Sequence, residues 1–120
     1  MMKSFYLTYG AQNVTVDELG RRIAHLLGMQ AELRDSLYLG EYVNCLGPQT
    51  DKLTIEPDKE GDGTLKFDEG PFNKYTVFVN ASNFRGQNTE RESRHNRIKE
   101  ALAAIPELFL LEEDIVETDH

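Results

Sequence analysis

A chain of 120 residues with 39% hydrophobic and 28% charged residues has the composition of one globular domain and is too apolar for a disordered chain. Its formal net charge of −8 argues against direct binding to nucleic acid, because phosphates would be repelled, and favours a basic partner. The single Cys45 excludes an internal disulfide, and no run approaches the roughly 20 apolar residues of a membrane span. We expect one cytoplasmic domain over residues 1–120, without membrane contact.

The first two elements carry clear local signals. Apolar and polar residues alternate over residues 3–10, which predicts a strand. Residues 15–27 predict an amphipathic helix, because Thr15 and Glu18 have the spacing of a capping box and Gly28 stands where a left-handed C-cap belongs.

The middle of the chain predicts strands separated by turns. Residues 29–47 form either one bent strand or two strands that meet near Gly40. Short alternating strands are expected over 52–57 and 64–67, and the strongest strand signal covers 74–80.

A second helix is predicted from a capping box at Thr89 and Glu92 to a stop at Pro106. Its apolar face is continued in the first turns by polar residues: Arg91, Arg94 and His95. We therefore expect this helix to overhang its core at the N-terminal end.

The chain then ends in at most a short strand over 108–111 and an acidic tail. The elements together predict an α+β fold: an antiparallel-rich sheet of about five or six strands with both amphipathic helices packed on one face. The expected chain order is β-α-β-β-β-β-β-α.

The stretch DKEGDGTLKFDE, residues 58–69, has the letters of a calcium-binding loop. Its acids and glycine match most positions of an EF-hand: Asp58, Glu60, Asp62, Gly63 and Glu69. Pro57 before the loop and Pro71 after it exclude the flanking helices of that motif. We predict a hairpin with its loop at 58–63 and no bound metal, and keep a calcium-binding module at 58–69 as an alternative.

No phosphate-binding loop, HExxH or GxSxG motif is present. Cys45 and His95 could form a nucleophile–base pair, but their sequence context does not specify one. We expect no catalytic residues and no cofactor. The alternative is a small enzyme or ligand-binding domain that uses Cys45, His95 and the arginines of the second helix.

Segment 32–42, ELRDSLYLGEY, resembles the R-x-S-x-Y-x-G-x-Y segment of small bacterial proteins encoded beside polymorphic toxins, including immunity proteins of contact-dependent growth inhibition systems. The matching residues are Arg34, Ser36, Tyr38, Gly40 and Tyr42. The resemblance implies an antidote that binds and blocks one cognate toxin domain, of a basic nuclease type.

Acidic residues are concentrated in two segments, 56–69 and 107–119. They either only solubilise the protein or contact a basic partner, and an acidic surface would speed association with such a partner. The predicted partner-binding residues are Glu112, Glu113, Asp114 and Glu117, followed by Asp58, Glu60 and Asp62. The sequence gives no indication of the oligomeric state.

Overall fold

The computed structural model describes residues 1–37, 40–58 and 75–118 of the chain. In these ranges the elements are β1 (Met2–Ala11), α1 (Val16–Leu27), β2 (Gln30–Ser36), β3 (Gly40–Leu46), β4 (Lys52–Pro57), β5 (Val77–Asn83), α2 (Asn88–Leu102) and β6 (Leu108–Thr118). The strands form one sheet in the order β2-β3-β4-β5-β1-β6, and every neighbouring pair is antiparallel. The predicted α+β class is confirmed.

The observed order of the elements differs from the expected order at the end of the described chain. The last described element is a strand of 11 residues, not a short strand followed by an acidic tail. β6 pairs with β1 along the whole of β1, so the first and last strands of the described chain lie side by side. The expected strand over 64–67 lies outside the described residues.

Both helices cover the same face of the sheet. Aligned side chains of four strands share this face: Val43, Ile55, Val79 and Tyr9. They form one core cluster with Leu19 and Ile23 of α1 and with Ile98 and Leu102 of α2. Successive side chains of a strand alternate between faces, so the other set lies on a second face, called here the open face.

Helix α1 begins and ends as its sequence predicts. The Thr15 hydroxyl accepts a hydrogen bond from the Glu18 backbone N–H at 3.1 Å, and Gly28 adopts φ +69° at the C-cap. Gly20 lets α1 approach β3, because a Cβ at this position would lie 2.7 Å from the Val43 side chain. The helix is therefore fixed by local caps and by one close contact with the sheet.

Helix α2 differs from its prediction in two respects. Its N-cap is Gln87, which makes no side-chain capping bond, so the expected capping box of Thr89 and Glu92 is wrong. Its N-terminal turns also do not overhang the core, because Arg91 and His95 are buried. β1 continues beneath these turns, and its Lys3 carbonyl accepts a hydrogen bond from Arg91 Nη1 at 2.9 Å.

Segment 29–47 contains two strands rather than one bent strand. β2 and β3 pair from Gln30 with Leu46 to Ser36 with Gly40, and Gly40 adopts φ +70° where the hairpin returns. No helix in the described ranges is long and apolar enough to cross a bilayer.

Candidate protein-binding surface

The predicted acids of the C-terminal segment belong to strand β6 and point to two faces of the sheet. Glu113 and Glu117 lie on the helix-covered face, while Glu112 and Asp114 lie on the open face. A β-bulge at the Thr8/Tyr9 step shifts the register, so that the first residues of β6 alternate in a different phase from the acidic part. The acids therefore do not form one continuous surface.

Glu113 makes contacts within the protein. Its carboxylate contacts His95 Nε2 at 2.6 Å and Lys99 Nζ at 2.7 Å, which ties β6 to helix α2. Hydrogen bonds from Lys99 and His95 lower the pKa of the Glu113 carboxyl. Glu117 lies 3.9 Å from the Lys3 ammonium on the neighbouring strand. Both acids already contact basic side chains of this protein, so their carboxylates are less available to a cationic group of a partner.

Glu112 and Asp114 have no such partner among the residues that the structure describes. Both are exposed, and neither forms an ion pair with a residue that the structure describes. Asp114 stands directly opposite Tyr6 of β1, whose side chain is 37% exposed, and Glu112 stands opposite Thr8. We call Glu112, Asp114 and Tyr6 the acidic edge. Two exposed carboxylates beside an aromatic ring can contact a cationic side chain and an apolar group of a protein partner.

Apolar side chains are exposed along β6 on both faces of the sheet. Val116, which is 45% exposed, and Phe109 extend the open face on either side of the acids, whereas Ile115, which is 54% exposed, and Leu110 lie on the helix-covered face. These four residues were not predicted as part of the site. The available signal was the pair Ile115–Val116 within a run of acids, since a purely solubilising segment has no need of β-branched residues.

Asp58, the one described residue of the other predicted set of acids, is not brought to the acidic edge. Asp58 follows β4, and its backbone N–H donates to the Thr76 carbonyl at 3.1 Å. β4 is separated from β6 by β5 and β1, which corresponds to about 14 Å across the sheet. Glu60 and Asp62 lie outside the described residues, as does the rest of the calcium-like loop 59–69. Among residues 1–37, 40–58 and 75–118, no cluster of three potential ligands could hold a metal ion.

Cys45 and His95 do not form a catalytic pair. The Cys45 thiol is buried on β3 beneath α1, 3.8 Å from the Gly20 carbonyl, and burial raises its pKa to about 11. His95 packs against Phe5 of β1 with ring centroids 5.1 Å apart, three strand spacings or about 14 Å from β3. A thiol of raised pKa without a nearby base is a poor nucleophile.

Two surface depressions in the described part of the chain also leave this pair out. One lies on the open face and is lined by Tyr42, Asn44, Lys52, Thr54 and Glu56. The other lies along α2 and is lined by Thr89, Glu92, Ser93, Asn96, Arg97 and Glu100. Arg97 is the one helix arginine in these linings. Neither depression brings cysteine, histidine and arginine together, as the ligand-binding alternative requires.

The segment that resembles immunity proteins forms the β2–β3 hairpin. Ser36 pairs with Gly40 and Arg34 pairs with Tyr42. Arg34 Nη2 is 2.6 Å from the Glu32 carboxylate on its own strand. Tyr38 lies outside the described residues. The four described residues thus have positions that build the hairpin, at the edge of the sheet opposite to β6.

Comparison with models of protein families gives no match to this chain, and comparison with curated proteins gives none either.

Proposed function

We propose that this protein is a binding protein that neutralises a cognate bacterial toxin domain by a charge-complementary protein–protein interaction, and that the acidic edge contributes to the contact. The observation that carries the proposal is the pair of exposed carboxylates of Glu112 and Asp114 beside Tyr6, which form no ion pair with a described residue. The toxin itself is inferred from the resemblance of segment 32–42.

The physical argument begins with the charge of the expected partner. A nuclease domain needs a basic cleft, because it binds phosphates. A protein with a net charge of −8 is attracted to such a cleft before contact, and steering of this kind raises association rates toward about 10⁸–10⁹ M⁻¹s⁻¹ at low salt.

Affinity requires more than charge. Exposed ion pairs contribute little, and a few desolvated groups, often aromatic, carry most of the binding free energy. Tyr6 stands opposite Asp114, and Glu112 and Val116 are the neighbours of Asp114 on the same face of β6, so Tyr6 can lose its contact with water when a partner covers this face. We therefore expect Glu112 and Asp114 mainly to speed association with the partner. We expect Tyr6 mainly to slow dissociation of the complex.

The test uses the toxin-like C-terminal domain encoded immediately upstream of this protein in its native genome. The two proteins are co-expressed, and binding and rescue of growth are measured for Glu112→Lys/Asp114→Lys. We expect affinity to fall by at least about tenfold, with slower association and a weaker dependence on salt, because favourable charge pairs become repulsive.

The matched control is Asp35→Lys/Glu41→Lys. These two exposed acids face each other across the β2–β3 hairpin at the opposite edge of the sheet, so the net charge changes equally. Equal losses for both variants would contradict a role for the acidic edge. A native genome that encodes no toxin domain beside this protein would contradict the neutralising function itself.

A further inference from the structure

The outer edge of β6 is open in the part of the chain that the structure describes. β6 is the last strand of the sheet, it is 11 residues long, and its residues 112–118 are all exposed. A long strand with one free edge presents unpaired backbone donors and acceptors, and another extended chain can pair with them.

The contacts of Lys3 show which backbone groups of β6 are free. The Lys3 N–H donates to Asn88 Oδ1 at 2.9 Å, and its carbonyl accepts from Arg91 Nη1 at 2.9 Å. The Lys3 backbone therefore points away from β6. Backbone direction alternates along an antiparallel strand, so Ser4 and Tyr6 point toward β6.

The same alternation applies to β6. Val116 and Asp114 stand opposite Ser4 and Tyr6, so their backbone groups pair with β1. The backbone groups of Glu113, Ile115 and Glu117 consequently point outward. This free edge is flanked by the exposed side chains of Ile115 and Val116 and by the acidic edge.

We propose that the partner adds one extended, basic segment to this edge as a further antiparallel strand. The inference rests on the proposed function and specifies how the partner binds. Cross-strand pairing places basic partner residues opposite Glu112, Asp114 and Glu117, and apolar ones opposite Ile115 and Val116. The backbone of the segment bonds to Glu113, Ile115 and Glu117, so affinity does not depend on side-chain charge alone.

A second copy of this chain is disfavoured at the acidic part of this edge. Two-fold pairings centred on Glu113 and on Asp114 each place that carboxylate opposite itself, and the first also places Glu112 opposite Asp114. A pairing centred on Ile115 places Glu113 opposite Glu117. Like charges directly opposite each other destabilise a strand pair. The charge of β6 therefore selects a basic segment from another protein.

The test uses the complete protein and the hexapeptide KVIKTR, whose first residue is designed to lie opposite Glu117 and whose last lies opposite Glu112. Binding is followed by NMR shifts of the β6 amides. One peptide is N-methylated at the residues opposite Glu113, Ile115 and Glu117, and a matched peptide is N-methylated at the other three residues.

Strand addition predicts different results for the two methylated peptides. The first should bind about tenfold more weakly or worse than the parent, because its methyl groups remove the donors that face β6. The second should bind within about twofold of the parent, because its methyl groups point away. Equal behaviour of the two methylated peptides, or a parent peptide that shifts no β6 amide, would overturn strand addition.

The peptide experiment and the toxin-binding experiment can fail separately, so their results distinguish strand addition from the proposed function. A toxin domain that loses affinity for Glu112→Lys/Asp114→Lys while the peptides give no difference would leave the function in place and refute the strand. A peptide result of the expected kind without any effect of the charge variants on toxin binding would support the strand and refute the neutralising role of the acidic edge.

Discussion

At the scale of residues, polar contacts hold helix α2 on the sheet. His95 is only 2% exposed, and its Nε2 is 2.6 Å from the Glu113 carboxylate. Arg91 is buried as well and donates to backbone carbonyls of Gly86 and Lys3. Buried polar groups are stable when they have partners, so these residues occupy positions that the apolar pattern alone would assign to solvent.

Glu113→Gln should lower the free energy of unfolding by about 1–2 kcal/mol near neutral pH, because the charged partner of His95 and Lys99 is lost. The pKa of Glu113 is lowered in the folded protein, so the unfolded chain binds its proton more readily. The stabilisation is thus complete above the ordinary carboxyl pKa of 4.5 and is lost as pH falls through the lower folded value. Urea unfolding of both proteins at several pH values between about 3 and 7 measures the difference.

Glu112→Gln is the matched control for that experiment, since the neighbouring acid lies on the open face without an ion pair to a described residue. It should change stability by less than about 0.5 kcal/mol. A stability loss for Glu113→Gln that stays constant down to pH 3 would contradict the role of its ionised form.

The Cys45 thiol should be nearly inert in the folded protein. Burial raises its pKa to about 11, so the thiolate fraction near pH 8 is far below that of an ordinary thiol. We expect reaction with a disulfide reagent at about pH 8 to be roughly a hundredfold or more slower in native protein than in denaturant. Comparable rates in the two states would show that β3 and α1 do not protect the thiol.

At the scale of elements, the acids of β6 have a second effect besides attracting a partner. An open edge strand with Ile115 and Val116 exposed is a site where copies of a protein can associate. The opposed carboxylates described above make that association unfavourable. β6 can therefore remain available to a different chain without pairing with itself.

Removing these charges should create a self-associating protein. We expect Glu112→Gln/Glu113→Gln/Asp114→Asn to form dimers at concentrations where the unmodified protein sediments as a monomer, because the repulsion in the two-fold registers centred on residues 113, 114 and 115 decreases. Sedimentation velocity at several concentrations measures the change. The control Glu18→Gln/Glu92→Gln/Glu100→Gln removes the same charge from exposed helix positions and should stay monomeric. Dimers of both variants would assign the effect to net charge instead of β6.

At the scale of the whole molecule, the sheet depends on contacts between distant parts of the chain. β1 lies between β5 and β6, and its register joins Met2 to Thr118 and Phe5 to Asn83. A chain that stops after Glu107 lacks β6, so β1 becomes an edge strand and His95 loses Glu113. We expect this variant to lose cooperative thermal unfolding by circular dichroism. A chain that stops after Thr118 retains all of β6 and serves as the control; equal midpoints would contradict the dependence on β6.

The sequence predicted those parts of the fold whose signals are local. Helix α1 was predictable because its caps are local: Thr15 accepts from the Glu18 N–H at one end, and the Gly28 N–H donates to carbonyls of the last turn at the other. β6 was not, because it is exposed on both faces and a bulge changes its phase, so it shows no simple alternation. The burial of His95 could not be predicted either, since its partner Glu113 is 18 residues away on another element. Of the candidate site, the acids were predicted, but their division between two faces required the register with β1.

The central position of β1 also determines when the protein can fold during synthesis. Its residues are made before those of the other described elements, yet the neighbours on its two sides are β5 and β6, which come later in the chain. At about 5–20 residues per second, a ribosome needs about 5–20 seconds to proceed from the end of β1 to the end of β6. Until β5 has been made, the strand with Phe5, Leu7 and Tyr9 has neither of its neighbours, and the sheet becomes complete only after translation has passed β6.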